Sequence, residues 1–207
     1  MSVLIAISGG IGSGKSVVCN ILAASGFSVY NCDDQAKRIM DTSPEIWQRL
    51  CTDIHPKAVE NGVVNRPLIS SIVFNDPERL KALNAIVHKA VEEDILKWAQ
   101  ENSSQPVLFV ETAILYQSGL DKLVDVNWEV TAPDEIRIAR VMKRNSLTRE
   151  AVEARMKAQQ HPVPVNPVPT VEIVNDNVTP ILPQIEANLV HAALNHKNNH
   201  LENNRLK

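Results

Sequence analysis

Apolar runs that alternate with helical patterns extend along most of the chain. Residues 3–8 are almost continuously apolar, which is typical of a strand buried in a parallel sheet. Further runs at 27–32, 106–111, 125–131 and 170–175 predict four more strands. Apolar residues between several of these runs recur with a helical period. The pattern therefore predicts an α/β fold with a five-stranded parallel sheet.

A long helical insertion separates the second predicted strand from the third. It extends from residue 34 to 104, with breaks at 42–44, 55–56 and 61–62. Its last helix has clear starting signals, because Asp76 is a good N-cap and Pro77 suits the first helical position. We expect the insertion to form a lobe attached to the core.

The predicted organisation is a single domain, 1–207, with three parts and a tail. Residues 1–33, 105–144 and 170–194 form the core, 34–104 the helical lobe and 145–169 a short lid. A closing helix is expected at 183–194. The proline-dense stretch 161–169 cannot be helical and predicts an extended, stiff chain. The polar residues 195–207 predict a frayed tail.

A glycine-rich stretch lies between the first predicted strand and the first predicted helix. Residues 9–16 read Gly-Gly-Ile-Gly-Ser-Gly-Lys-Ser, which fits the phosphate-loop pattern G-x-x-x-x-G-K-[ST]. Glycines allow the backbone N–H groups to surround a polyphosphate, and the following helix directs its positive end at the same anion. The alternative is a flexible surface loop, which the flanking strand and helix disfavour. The predicted nucleotide-binding residues are Gly10, Ile11, Gly12, Ser13, Gly14, Lys15, Ser16 and Val17. Lys15 would reach the β- and γ-phosphates, and the Ser16 hydroxyl would bind Mg²⁺.

Composition narrows the class of protein. The chain has 207 residues, is 44% hydrophobic and carries a net charge of −3, so neither nucleic acid nor an acidic membrane is expected as a partner. No apolar run approaches the roughly 20 residues that cross a bilayer. Three cysteines without metal-ligand spacing, and a core strand where a signal peptide would stand, favour a soluble protein in the reducing cytoplasm.

Carboxylates stand at the ends of two predicted strands. Asp33 and Asp34 follow the second strand, where ligands of open parallel sheets collect, so Asp33 is a candidate catalytic residue. Equally, Asp33 or Asp34 is suited to cap a helix beginning near Gln35. Glu111 ends the third strand and is able either to orient a water on Mg²⁺ or to form an ion pair.

Two further polar groups lie on predicted helices. Arg137, Arg140 and Arg144 share a helix face, which suits either solvated surface or the neutralisation of a transferred phosphoryl group. Asn84 and His88 lie one turn apart at the edge of an apolar stripe. Spacing alone favours an ordinary polar contact for this pair.

Several segments together resemble the dephospho-coenzyme A kinases, P-loop kinases that complete coenzyme A synthesis. The resemblance covers roughly residues 1–160 and resumes at 174–175. The matching segments are 7–16, 29–33 with Ala36, 83–88, 110–115, 140–144 and 148–150. The double glycine that opens the first segment is more specific than a bare phosphate loop.

The resemblance implies transfer of the ATP γ-phosphate to the ribose 3′-hydroxyl of dephospho-coenzyme A, with Mg²⁺. It implies that Asp33 is the general base, and that Arg140, joined by Arg144, belongs to the cations around the phosphates. It also implies a strand order of 2-3-1-4-5 and an acceptor-binding role for the helical lobe. Asn84, His88 and Glu111 then become acceptor-side residues.

Two other functions remain open at this stage. One is a kinase for another nucleoside or small alcohol. The other is a nucleotide-binding module with an impaired lid, because the proline run at 161–169 stands where the family has basic lid residues. A GTPase switch is disfavoured because the chain contains no Asn-Lys-x-Asp motif. We expect a monomer or a weak homo-oligomer that uses ATP and dephospho-coenzyme A.

Overall fold

The computed structural model describes residues 2–159 and 166–192. It contains two compact units. The first comprises the described parts of residues 1–30 and 101–207, and the second comprises residues 31–100. The predicted proline stretch at 161–165 and the tail at 195–207 lie outside the described residues.

Within the described residues, seven short strands form a large sheet and a small hairpin. Their bounds are β1 Val3–Ser8, β2 Val29–Asn31, β3 Val59–Glu60, β4 Val63–Val64, β5 Val107–Glu111, β6 Val126–Thr131 and β7 Thr170–Val174. The large sheet has the order β2-β5-β1-β6-β7, whereas β3 and β4 pair with each other. Parallel registers align Ile7 with both Glu111 and Trp128. Counted within the large sheet, this is the predicted order 2-3-1-4-5.

Four helices accompany the large sheet. They are α1 Lys15–Ala24, α6 Asp134–Asn145, α7 Arg149–Ala158 and α8 at 181–192; a single 3₁₀ turn covers Leu120–Lys122. Val18 and Leu22 of α1 and Ile185 of α8 are buried in one cluster with the alternate residues Ile5 and Ile7 of β1. Helices α1 and α8 therefore cover the sheet face to which the odd-numbered residues of β1 belong.

The second unit is mostly helical. It contains α2 Cys32–Thr42, α3 Pro44–Arg49, α4 Arg66–Phe74 and α5, which extends over Pro77–Glu101 into the first unit; a π-helical turn covers Leu50–Ile54. The predicted start of α5 is correct, since the Asp76 carboxylate accepts hydrogen bonds from the N–H groups of Glu78 and Arg79, each at 3.1 Å. The prediction of a helical insertion is therefore matched, with a hairpin inside it.

The predicted boundary after the second strand is wrong. The helix begins at Cys32 instead of near Gln35, and its N-cap is Asn31, whose side chain accepts a hydrogen bond from the Asp34 N–H at 3.0 Å. Asp33 and Asp34 thus lie inside the first helical turn, where acids are favoured by the helix dipole. Neither acid is the cap.

None of the helices within residues 2–159 and 166–192 combines the length and apolar character of a membrane span. Among the described residues the three cysteines form no disulfide, and Cys19 and Cys32 are buried.

The stability of the chain should fall at acid pH because of His88. This side chain is half-buried on α5, and burial lowers its pKa below the ordinary value of 6.5. The unfolded chain therefore binds the proton more readily, so stability is full above about pH 6.5 and is lost as the pH falls through the folded-state pKa. We expect the His88→Gln variant to lose less stability between pH 7.5 and pH 5.

Urea unfolding at the two pH values measures this difference. The same substitution at exposed His191 is the control and should retain the pH dependence of the unchanged chain. Equal losses in the unchanged chain and in His88→Gln would contradict the assignment.

Candidate active site

The glycine-rich loop connects the buried strand β1 to helix α1. Gly9, Gly12 and Gly14 have φ values of 138°, 79° and 98°, which L side chains rarely adopt. Space is limited as well, because a Cβ atom on Gly14 would lie 2.0 Å from Nδ2 of Asn175. These positions therefore require glycine for conformation and for close approach.

The carbonyl groups of this loop are all held by donors. Every carbonyl oxygen from Gly9 to Gly14 accepts a hydrogen bond. The donors, in order, are Lys15 Nζ at 2.9 Å, Ser13 N at 3.1 Å, Arg137 Nε at 3.0 Å, Arg140 Nη1 at 3.3 Å, Asn175 Nδ2 at 2.8 Å and Val17 N at 2.9 Å. We call Arg137, Arg140 and Asn175 the bracing residues. Each belongs to an element far along the chain from the loop.

The bracing residues determine which way the loop amides point. In a trans peptide the C=O and N–H groups are antiparallel. Because the carbonyls of Ile11 and Ser13 point at Arg137 and Asn175, the N–H groups of Gly12 and Gly14 point the opposite way. The Ser13 N–H donates instead to the Gly10 carbonyl within the loop. Amides converging at the start of a helix form an anion site. The loop therefore has the geometry of a phosphate cradle.

Lys15 and Ser16 occupy the first turn of α1. The Lys15 ammonium lies 2.9 Å from the Gly9 carbonyl oxygen, so it reaches back across the loop opening. Ser16 is exposed, and the next residue, Val17, is 45% exposed. The predicted nucleotide-binding residues 10–17 are therefore brought together at one place.

The two predicted cationic residues differ in position. The Arg140 guanidinium contacts the loop carbonyls and also donates to the side chains of Asn175 at 3.2 Å and Asn177 at 2.6 Å. Arg144 is exposed, and its Nε donates to Asn145 at 3.0 Å. The structure thus places Arg140 at the loop and places Arg144 on the surface of the same helix.

Three residues beside the loop were missed as site residues. Arg137 was predicted only as part of a basic face, although its position three residues before Arg140 was a usable signal. Asn175 is predicted as the end of the fifth strand and belongs to the family resemblance at 174–175, but no role at the loop is predicted for it. Gln159, whose Oε1 accepts the Ile11 N–H at 2.7 Å, has no local signal. Asn175 is 7% exposed and binds both the loop and Arg140.

Glu111 lies at the carboxyl end of β5, paired in register with Ile7 of β1. The Glu111 carboxylate interacts with the buried thiol of Cys19 on α1. Burial raises the pKa of Cys19 far above its ordinary value, and the Glu111 carboxylate, which accepts a hydrogen bond from the thiol, raises this pKa further. The Lys15 ammonium acts on the same thiol in the opposite direction. Glu111 therefore belongs to the same neighbourhood as the start of α1.

The other predicted site residues belong to the helical unit. Asp33 is exposed in the first turn of α2, immediately beyond the carboxyl end of β2. Asn84 is exposed and His88 is half-buried on α5, one helical turn apart.

Comparisons with known proteins agree with this geometry. The family model for dephospho-CoA kinase matches residues 3–180. The dephospho-CoA kinase of Bacteroides fragilis is 32% identical over 185 residues, covering 89% of this chain and 90% of that protein. That of Porphyromonas gingivalis is 38% identical over 158 residues, covering 76% and 78% of the two chains.

A solved structure extends the likeness to the fold. The crystal structure of a Thermus thermophilus protein superposes with a TM-score of 0.72 at 34% identity, covering 94% of this chain and 97% of that one. A family match over most of the chain and a phosphate cradle at the predicted loop point the same way: the chain belongs to the dephospho-CoA kinase family.

Proposed function

We propose that this protein transfers the γ-phosphoryl group of ATP to the ribose 3′-hydroxyl of dephospho-CoA, giving CoA and ADP. The observation that carries the proposal is the braced glycine loop, in which every carbonyl from Gly9 to Gly14 is bound and the N–H groups of Gly12 and Gly14 point away from the bracing residues. Membership of the dephospho-CoA kinase family supports this acceptor.

The loop and Lys15 hold the phosphates of ATP. Fixed amide dipoles and one mobile ammonium neutralise the β- and γ-phosphates without any reorganisation during the reaction. A protein with a net charge of −3 needs such concentrated positive groups to bind a polyanion. Val17, exposed at the end of the loop, then borders the bound nucleotide.

Mg²⁺ fits the donors present at this site. Protein sites for Mg²⁺ in kinases commonly supply one or two oxygen ligands and leave the rest to phosphates and water. The exposed residue Ser16 would supply a hydroxyl ligand, and Glu111 would hold a bound water. When bound, the metal neutralises charge on the β- and γ-phosphate oxygens.

Asp33 is the proposed general base. It follows the carboxyl end of β2, and ligands of open parallel sheets bind beyond these strand ends. A carboxylate within reach of the acceptor hydroxyl takes its proton as the bond to phosphorus forms. Asn84 and His88 are proposed to contact the acceptor as part of an acceptor lobe at 34–104, and Glu111 is also proposed to bind the acceptor.

Arg140 is proposed to balance charge on the transferred group. Its contacts described above are with neutral oxygen atoms, so those contacts leave its positive charge available to phosphate. Arg144 is proposed to assist when substrates are bound. We further propose that the protein acts in the cytoplasm as a monomer or weak homo-oligomer, without nucleic acid or membrane partners.

Release of ADP, measured with and without dephospho-CoA, tests the activity. We expect release that depends on the acceptor, together with a kcat/KM for dephospho-CoA that exceeds that for other nucleosides and alcohols by orders of magnitude. A different preferred acceptor would identify another kinase. Release that ignores every acceptor would indicate a nucleotide-binding module.

Substitution of Gly14 should weaken ATP binding. Gly14→Ala places a Cβ against the Asn175 amide and breaks its hydrogen bond to Ser13, so the loop loses one brace. We expect the Kd for ATP to rise at least about tenfold, as for a lost hydrogen bond of roughly 1 kcal/mol plus backbone strain. Isothermal titration calorimetry with the non-hydrolysed ATP analogue AMP-PNP measures the change.

Gly26→Ala is the matched control for this substitution. Gly26 has a similar φ of 89°, but a Cβ there meets nothing within 4 Å. This variant should share the backbone strain and keep the affinity for the nucleotide. An equal loss of nucleotide affinity in both variants would show that backbone strain, and not loss of the Asn175–Ser13 hydrogen bond, weakens ATP binding.

Removal of the proposed base should separate catalysis from binding. We expect Asp33→Asn to lower kcat by about 10²–10⁴-fold while the Kd for ATP stays within about twofold. Asp34→Asn is the control, since Asp34 is the next residue, is also exposed, and pairs with Lys37 at 3.0 Å. Near-native turnover in Asp33→Asn would remove the assignment.

A further inference from the structure

A cavity of about 340 Å³ lies beside the start of the glycine loop, within the sheet unit. Its lining includes Ser8 and Gly9, residues of the segment after β5, and the side chains of Asn127 and Glu129 on β6. Of the residues lining this cavity, the function proposed above uses only Gly10, at the start of the nucleotide-binding loop. Its volume is at the lower end of the roughly 300–1,000 Å³ typical of small-molecule sites. It is therefore suited to part of a large ligand.

The cavity lies on the opposite sheet face from α1. Trp128 and Val130 of β6 are buried in the same cluster as Val18 and Leu22 of α1. Asn127 and Glu129 alternate with them, so they project from the other face. The lining includes Gly9 and Gly10 but none of residues 11–17. The cavity therefore adjoins the beginning of the loop and is separate from the rest of the phosphate cradle.

Asn127 indicates that a ligand belongs there. It is 2% exposed, and its Oδ1 has no hydrogen-bond partner within the described residues. Its Nδ2 makes a long contact of 3.4 Å to the Thr170 hydroxyl. A buried acceptor without a partner costs about 1–3 kcal/mol, so it is normally bonded. A hydrogen-bond donor on a ligand in the cavity would satisfy it.

The chemistry of the lining narrows the ligand class. The polar groups are amides, hydroxyls and the carboxylate of Glu129, with apolar surface from Leu115 and Pro167; the described lining contains no lysine or arginine. Such a lining disfavours phosphate and favours an uncharged chain that carries N–H and O–H donors beside apolar carbons. The pantetheine arm of dephospho-CoA is a chain of this kind.

We propose that this cavity binds the pantetheine arm of the acceptor, with Asn127 Oδ1 accepting a hydrogen bond from an amide or hydroxyl of the arm. The inference rests on the proposed function. The first glycines of the loop line the cavity, and Lys15, the proposed ligand of the γ-phosphate, reaches back to Gly9. The cavity therefore adjoins the end of the loop at which the γ-phosphate is proposed to bind. An acceptor that meets the γ-phosphate has its arm within reach of this opening.

Two measurements on the full chain test the subsite. Isothermal titration calorimetry with pantetheine alone measures binding and requires no catalysis. The KM for dephospho-CoA measures how the complete acceptor is used. We expect Asn127→Leu, which keeps the volume and removes the amide, to raise both the pantetheine Kd and the KM about tenfold, as for one lost hydrogen bond. The kcat should change little, because the arm is remote from the reacting atoms.

Control variants separate the subsite from general damage. Gln117→Ala alters an exposed residue of the lining and should raise both the pantetheine Kd and the KM for dephospho-CoA a few-fold. This variant tests the subsite even where Asn127→Leu fails to fold. Asn20→Leu makes the same substitution at an exposed position of α1 and should change neither.

Two results would overturn the subsite: no binding of pantetheine to the unchanged chain, or equal constants in Asn127→Leu, Gln117→Ala and the unchanged chain. Failure of the proposed function is distinct from both, because ADP release would then not depend on dephospho-CoA at all. Pantetheine binding remains measurable in that case.

Discussion

Hydrogen bonds from side chains to outward-facing carbonyls hold the glycine loop in its phosphate-binding conformation. The donors come from elements far along the chain: Arg137 and Arg140 are 126 and 128 residues from their acceptors, and Asn175 is 162 residues from Ser13. These donors reach the loop because the sheet places β1 beside β6 and β6 beside β7, so that α6 and the end of β7 converge on the loop. The order of the strands is therefore a condition for the site, since a glycine sequence by itself does not determine where its carbonyls point.

The parts of the fold that sequence predicted well are those with local signals. Long apolar runs specify buried parallel strands because both faces of such strands are covered. Glycines at positive φ specify the loop, and Asp76 with Pro77 specifies the start of α5. The boundary after β2 failed because Asn31, Asp33 and Asp34 are all good capping residues within four positions. Cys32 is buried, which extends the helix back to Asn31, and capping preferences do not contain that packing information.

Residues that act through long-range contacts were less predictable. Asn175 at a strand end and Gln159 at a helix end have no local pattern that connects them to the loop, and only the folded chain brings them there. The bond between the Cys19 thiol and Glu111 is of the same kind, because it joins a helix face to a neighbouring strand. Arg140 was predicted as a cation near phosphate, yet its contacts also make it part of the loop's support. A change at Arg140 would therefore alter ground-state nucleotide binding as well as the transition state.

Unpaired polar atoms connect the stability of the core with its chemistry. Within the part of the chain that the structure describes, the buried side-chain atoms without a hydrogen-bond partner are Ser13 Oγ and Asn127 Oδ1. One lies in the phosphate cradle and the other lines the adjoining cavity. An unsatisfied buried polar group destabilises a fold by about 1–3 kcal/mol, so apolar residues at these two positions would make a more stable apo protein. Such departures from an apolar core are expected where ligands complete the hydrogen bonding. By contrast, the buried cluster that includes Ile5 and Ile173 consists of apolar side chains, which need no such partners.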